Sequence, residues 1–154
     1  MTTDAPNFGL LLAPVLTRVD DASRPRFLAL LERTAADRYR QWAVDDPEHG
    51  EVLLACARRE DEIADRIEAV FPVPETKLAE LLTLVPEAKA LYYGAFTGRT
   101  VHEQIQIQAD AELQGANAWR SIAKAVTDPD VLRELAHCSA LEETSSAAAR
   151  ALFK

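Results

Sequence analysis

Apolar side chains recur every three or four residues along four long stretches of the chain, which is the spacing of amphipathic α-helices. The first stretch begins at Ser23, a suitable N-cap, and ends at the turn that precedes Pro47. The second stretch continues to about residue 71, where Pro72 stops it. The pattern therefore predicts an antiparallel helical hairpin over residues 23–71.

A second hairpin is predicted over residues 100–154. Thr100 and Glu103 have the spacing of a capping box, which marks the start of the third helix. Asp128 and Pro129 give a turn followed by a new helix start, and the fourth helix continues from there toward the C-terminus.

The segments outside the hairpins have weaker patterns. Residues 72–99 contain three prolines and predict a long crossover with short helical pieces around residues 76–83 and 87–93. Residues 1–22 predict an N-terminal arm, either a short helix or an extended segment, which docks through its phenylalanine and leucine side chains.

The two hairpins repeat each other. In each, a glutamate in the first helix is followed by an aromatic residue and then by a glutamate in the second helix, with 28 and 31 residues between the two glutamates. Four helices joined by one long crossover predict a single all-α domain over residues 1–154, a ferritin-like four-helix bundle, with an unrelated up-down bundle as the alternative. The matching residues are Glu32, Tyr39 and Glu60 in the first hairpin, and Glu112, Trp119 and Glu143 in the second.

The four repeated glutamates each lie three or four residues from apolar neighbours, so their side chains are predicted to point into the core. A buried carboxylate is costly unless it is paired, protonated or bound to a metal. Four of them together would repel one another, and two divalent cations would neutralise them. The pattern therefore indicates a metal-binding carboxylate cluster; the alternative is that some of the carboxylates turn sideways and pair with arginines of the same helices.

The chain resembles the ferritin-like superfamily, and specifically its rubrerythrin-type branch, over about residues 24–152. In that family helices one and three each carry a glutamate, helices two and four each carry Glu-x-x-His, and these residues bind two iron atoms. By this resemblance Glu32 and Glu112 match the lone glutamates, and Glu60 and Glu143 match the first position of Glu-x-x-His. The resemblance implies an oxidase, peroxidase or ferroxidase activity if the protein is an enzyme.

Both histidine positions of the family pattern hold other residues, Ile63 and Ser146. Ile63 supplies no ligand, whereas Ser146 would supply a weak oxygen ligand or only a hydrogen bond. Sites made of carboxylates alone suit hard cations such as Mn²⁺, Mg²⁺ or Ca²⁺ and hold iron less selectively. We therefore expect a degenerate metal site without efficient catalysis, with Tyr39 and Trp119 beside it; the alternative is a metal-free ferritin-like structural or partner-binding module.

Charge and composition narrow the remaining function classes. The net charge is −8, and the sequence shows no basic stripe that could bind nucleic acid or an anionic membrane surface. The glycines are isolated, so no phosphate-binding loop and no nucleotide or organic cofactor is predicted. The absence of a secretory pattern and two cysteines inside predicted helices favour free thiols and a cytoplasmic location. A homodimer through helix faces is expected, and a protein partner is possible.

Overall fold

The computed structural model describes residues 5–154; the first four residues of the predicted N-terminal arm lie outside the described residues. Within this range the regular secondary structure is entirely helical, which confirms the predicted all-α class. None of the helices in residues 5–154 has both the length and the apolar character needed to cross a membrane. The helices are α1 (Phe8–Leu16), α2 (Arg24–Asp45), α3 (Gly50–Val70), α4 (Glu75–Gly94), α5 (Val101–Ala123) and α6 (Pro129–Ala151), with 3₁₀ turns at Asp21–Ser23 and Pro47–His49.

The two predicted hairpins are present. α2 packs along α3, α5 packs along α6, and α3 lies against α6, so this third contact joins the hairpins. α2 and α5 approach each other far less closely, which leaves a cleft between them on one side of the bundle.

Side-chain caps fix where the helices of the second hairpin begin. The Thr100 hydroxyl accepts a hydrogen bond from the Glu103 N–H at 3.2 Å, and the Glu103 carboxylate accepts one from the Thr100 N–H at 3.1 Å. This is the predicted capping box, and it satisfies N–H groups that have no partner inside the helix. At the start of α6 the Asp128 carboxylate accepts from the Asp130 N–H at 2.8 Å.

The crossover differs from the prediction. The two short pieces expected around residues 76–83 and 87–93 form one continuous helix, α4, with Pro86 inside it. Pro86 is on the exposed side, so the carbonyl that its missing N–H leaves unpaired can bind water. The opposite side of α4 buries Leu81, Ala88 and Tyr92 against the bundle, and this burial outweighs the local cost of the proline.

The core is built from large aromatic and aliphatic side chains with small residues between the helices. Tyr39, Trp42 and Phe96 are fully buried and meet edge to face at centroid distances of 5.2–5.3 Å. Alanines fill the inner positions of α2, α3 and α5, so the backbones approach closely. Cys56 and Cys138 are buried free thiols, as predicted.

Candidate metal centre

Four glutamates, one each from α2, α3, α5 and α6, come together inside the bundle. Glu60, Glu112 and Glu142 are only 1%, 1% and 2% exposed. Glu32 is half-buried. One carboxylate oxygen from each of Glu32, Glu60 and Glu142 lies within 4.8 Å of the others, so these three residues can contact a single cation. Glu112 lines the same cleft, and its charge raises the pKa of Glu60 and of Glu142. These four residues are called the carboxylate cluster below.

The prediction that Glu143 points into the core is wrong, and its neighbour Glu142 takes that place. Glu143 is exposed and forms an ion pair with Arg120 on the surface. Successive residues on a helix are about 100° apart, and the rotation of α6 turns Glu142 toward the core and Glu143 toward solvent. The buried positions of α6 one turn on either side, Cys138 and Ser145, share a face with Glu142.

Two side chains hold one oxygen of Glu112. The Tyr39 hydroxyl donates to Glu112 Oε1 at 2.9 Å, and the Gln108 amide nitrogen donates to the same oxygen at 2.7 Å. The Tyr92 hydroxyl donates to the amide oxygen of Gln108 at 2.5 Å, which fixes the orientation of that amide. The sequence pattern indicated Tyr39 but gave no signal for Gln108 or Tyr92, because both occupy positions typical of ordinary packing residues.

Trp119 and Gly115 shape the surroundings of Glu142. The indole N–H of Trp119 donates to Glu142 Oε1 at 3.2 Å. A Cβ atom at Gly115 would lie 2.9 Å from both carboxylate oxygens of Glu142, so the absence of a side chain there provides the space for this carboxyl group.

Two buried carboxylate oxygens, Glu60 Oε1 and Glu112 Oε2, have no hydrogen-bond partner. Among residues 5–154, no ion pair joins a lysine, arginine or histidine to any member of the carboxylate cluster. The arginines of these helices pair with surface acids instead, for example Arg33 with Asp61 and Arg66 with Glu134. The alternative of arginine pairing is therefore wrong for Glu32, Glu60 and Glu112 and correct for Glu143, which pairs with Arg120. The orphaned oxygens of the cluster point to a cation or to protons.

Burial sets the protonation of the cluster when no cation is bound. Loss of hydration raises the pKa of Glu32 to about 7; hydrogen bonds with Glu60 and Glu142 oppose this shift and the charge of Glu112 adds to it. Burial, followed by the charges of the neighbouring glutamates, raises the pKa of Glu60 and of Glu142 well above the usual range. A metal-free cluster therefore retains protons near neutral pH.

The positions that the family pattern reserves for histidine supply no nitrogen ligand. Ile63 is fully buried in an apolar group with Ile67 and Leu135. With Glu142 as the reference, the equivalent position on α6 is Ser145, whose hydroxyl accepts a hydrogen bond from Arg59 at 2.8 Å. The hydroxyl of Ser146, predicted as a weak ligand, donates to the Ala109 carbonyl at 2.6 Å.

The carboxylate cluster opens onto a cleft of about 630 Å³ between α1, α2 and α5. All four glutamates contribute to its lining, and the remaining surface is mostly apolar. Glu32 is the member of the cluster that is partly exposed, and the other three lie almost fully buried behind it.

A second group of possible metal ligands, Asp46, Glu48 and His49, lies at the turn between α2 and α3. His49 Nδ1 and Asp46 Oδ2 are 2.7 Å apart. These side chains are at the surface, where water and this mutual contact are sufficient partners.

Comparison of the chain with protein-family models, with curated proteins and with solved structures gave no match. The chemistry of the carboxylate cluster is therefore the guide to function.

Proposed function

We propose that this chain is a ferritin-like four-helix bundle protein that binds divalent metal ions through Glu32, Glu60, Glu112 and Glu142. The observation that carries the proposal is the pair of buried, unpartnered oxygens, Glu60 Oε1 and Glu112 Oε2, inside a cluster of four acids. The repeated hairpins, each contributing one glutamate per helix, support the ferritin-like arrangement.

Charge and ligand chemistry favour hard cations. Four ionised carboxylates carry a charge that two divalent ions would balance, and their oxygens are the ligands that Mn²⁺, Mg²⁺ and Ca²⁺ prefer. Tyr39 and Gln108 would hold Glu112, and Trp119 would hold Glu142, in the manner of the outer-shell partners that orient metal ligands. A bound ion would act as a Lewis acid at the base of the cleft. Since the cluster has no imidazole, binding with little selectivity for iron is favoured over redox catalysis.

The second candidate is a metal-free structural module, and the raised pKa values of Glu60 and Glu142 favour it. Neutral carboxyl groups can donate hydrogen bonds to their neighbours, so shared protons would replace cations in relieving the repulsion. At a pH high enough for the carboxyl groups of the cluster to ionise, the first candidate binds metal and the second does not.

Manganese binding decides between the two candidates. The full chain, purified and then stripped with chelator, is titrated with Mn²⁺ at about pH 7.5, and free Mn²⁺ is followed by electron paramagnetic resonance. The test variant is the double mutant Glu60→Gln/Glu142→Gln. The matched control, Glu62→Gln/Glu143→Gln, makes the same change at surface positions of the same helices.

We expect the wild type and the control to bind one or two Mn²⁺ ions per chain, and the test variant to lose at least about tenfold in affinity. Absence of binding in the wild type, or equal binding in all three proteins, would contradict the proposal and favour the metal-free module.

A further inference from the structure

The cleft beside the carboxylate cluster has the construction of a small-molecule site. Its volume of about 630 Å³ lies within the range of roughly 300–1,000 Å³ that is usual for such sites. The acidic groups converge at one place, the four glutamates, and neutral polar side chains such as Gln114 and Asn117 also line the cleft. Aliphatic side chains from three helices form the rest of the walls: Leu12 and Leu16 from α1, Leu28 and Leu31 from α2, and Ile122 from α5.

The aliphatic walls of the cleft are not fully covered by protein. Leu16, Leu28, Leu31 and Ile122 are all half-buried although they line the interior of the cleft. Covering apolar surface is favourable by roughly 25 cal/mol per Å². An aliphatic ligand would supply that cover, whereas a strongly hydrated one would not.

The cleft extends away from the cluster along α2. Arg24 also lines the cleft, eight residues before Glu32 and therefore ~12 Å from it along α2 at 1.5 Å per residue. An extended chain advances a little over one ångström per bond, so roughly ten carbons span this distance. The buried Nε of Arg24 has no hydrogen-bond partner, but Nη2 donates to the carbonyls of Leu16 and Val19, and the charge of the guanidinium is balanced by Asp21. The polar end of a ligand therefore belongs at the cluster.

We propose that the cleft binds a medium-chain aliphatic carboxylate, with its carboxylate on the metal ions and its chain along Leu16, Leu28, Leu31 and Ile122. This inference rests on the proposed function, because the carboxylate head needs bound cations. Two divalent ions would balance the charge of the four glutamates and would have coordination positions left for a ligand, since such ions take six or more oxygen ligands each. Without the ions, the cluster offers no cation to balance the charge of a carboxylate head group.

Metal and ligand should therefore bind cooperatively. A ligand that binds the metal-loaded protein more tightly must, by thermodynamic reciprocity, tighten metal binding by the same factor. An aliphatic alcohol of the same length would occupy the same walls but would lack the charge, so it should show much weaker coupling to the metal.

Decanoate and 1-decanol, each titrated by calorimetry into metal-free and Mn²⁺-loaded full chain, test the inference. Ala118→Phe fills the cleft from α5 without changing a member of the cluster, since Ala118 is half-buried in the cleft lining. Ala90→Phe is the matched control, because Ala90 is an exposed residue of α4 outside the cleft. Mn²⁺ affinity is measured separately for every variant.

We expect decanoate to bind the Mn²⁺-loaded wild type and Ala90→Phe at least tenfold more tightly than the metal-free forms, and more tightly than 1-decanol binds. Ala118→Phe should keep its Mn²⁺ affinity and lose at least tenfold in decanoate affinity. Decanoate binding that is equal with and without Mn²⁺, unchanged in Ala118→Phe, or absent from a protein that does bind Mn²⁺ would overturn this inference alone. Failure of Mn²⁺ binding itself would overturn the proposed function and this inference with it.

Discussion

Gly115 has no side chain at the point where the carboxyl group of Glu142 passes α5. A Cβ atom there would lie 2.9 Å from three atoms of that carboxyl group. The carboxyl group is at the end of a flexible side chain and can move aside, so the fold would tolerate the change while the cluster geometry would not. Gly115 is thus a local requirement of the carboxylate cluster.

Gly115→Ala should reduce Mn²⁺ affinity by about tenfold or more, the usual effect of disturbing the groups that orient a ligand. Its effect on the unfolding free energy of the chelated protein should be small. Alanine favours a helix over glycine by up to about 1 kcal/mol, and this gain offsets the cost of moving the Glu142 carboxyl group aside. Gly94→Ala is the control, since nothing lies within 4 Å of a Cβ atom there. Unchanged Mn²⁺ affinity in Gly115→Ala would show that Glu142 is not a ligand.

The sequence predicts which glutamates point into the core only on helices whose two faces differ clearly in composition. Glu60 and Glu112 are predicted correctly in the core, and Glu32 lies at its edge, because most large apolar residues of α2, α3 and α5 share one face; Val44, Leu54 and Leu113 are the exposed exceptions. Glu142 was missed because alanine occurs on all sides of α6 and does not mark the buried face. Cys138 and Ser145, which share a face with Glu142, were the better signal.

At the scale of elements, α4 shows tertiary packing overriding a local helix breaker. The three prolines of residues 72–99 predicted interruptions, yet only Pro72 and Pro74 lie outside the helix. The caps of α5 and α6, in contrast, were predictable because each depends on side chains only two or three residues away. The burial of Tyr92 and Leu81 depends on contacts with helices distant in the sequence, so the local pattern does not predict a continuous α4.

Pro86→Ala should raise the unfolding free energy by about 1 kcal/mol. Alanine restores the backbone hydrogen bond that proline lacks, and the greater freedom of the unfolded chain offsets part of this gain. Urea unfolding of the chelated protein measures the change. Pro74→Ala is the control, because Pro74 is the N-cap of α4 and breaks no helical hydrogen bond. A loss of stability in Pro86→Ala would mean that the proline is needed for the shape of α4.

At the scale of the whole molecule, the carboxylate cluster makes stability depend on pH in an unusual direction. The pKa of Glu32 is raised by burial from 4.5 to about 7, so the folded state holds protons more tightly than the unfolded chain. This contribution is fully present below pH 4.5 and is lost as the pH rises through about 7. Most carboxylates in proteins have lowered pKa values and give the opposite trend.

The chelated protein should therefore lose on the order of 2–3 kcal/mol of unfolding free energy between about pH 5 and pH 7.5. Thermal unfolding in the presence of chelator measures this, and Glu32→Gln should flatten the dependence. With Mn²⁺ the trend should reverse, because metal ligands must lose their protons before binding. Stability that rises with pH in the chelated wild type would contradict the picture of a proton-retaining cluster.

The way the two hairpins meet has a consequence for how the protein assembles. Each hairpin alone brings only two acids together, and the four gather only when α3 packs against α6. Electrostatic repulsion therefore opposes the joining of the hairpins far more than the formation of either one. The first hairpin precedes the second along the chain, so it can fold during synthesis at little electrostatic cost. Protons on the acids, or a cation bound between them, would therefore favour the docking of the two hairpins, which comes late in folding.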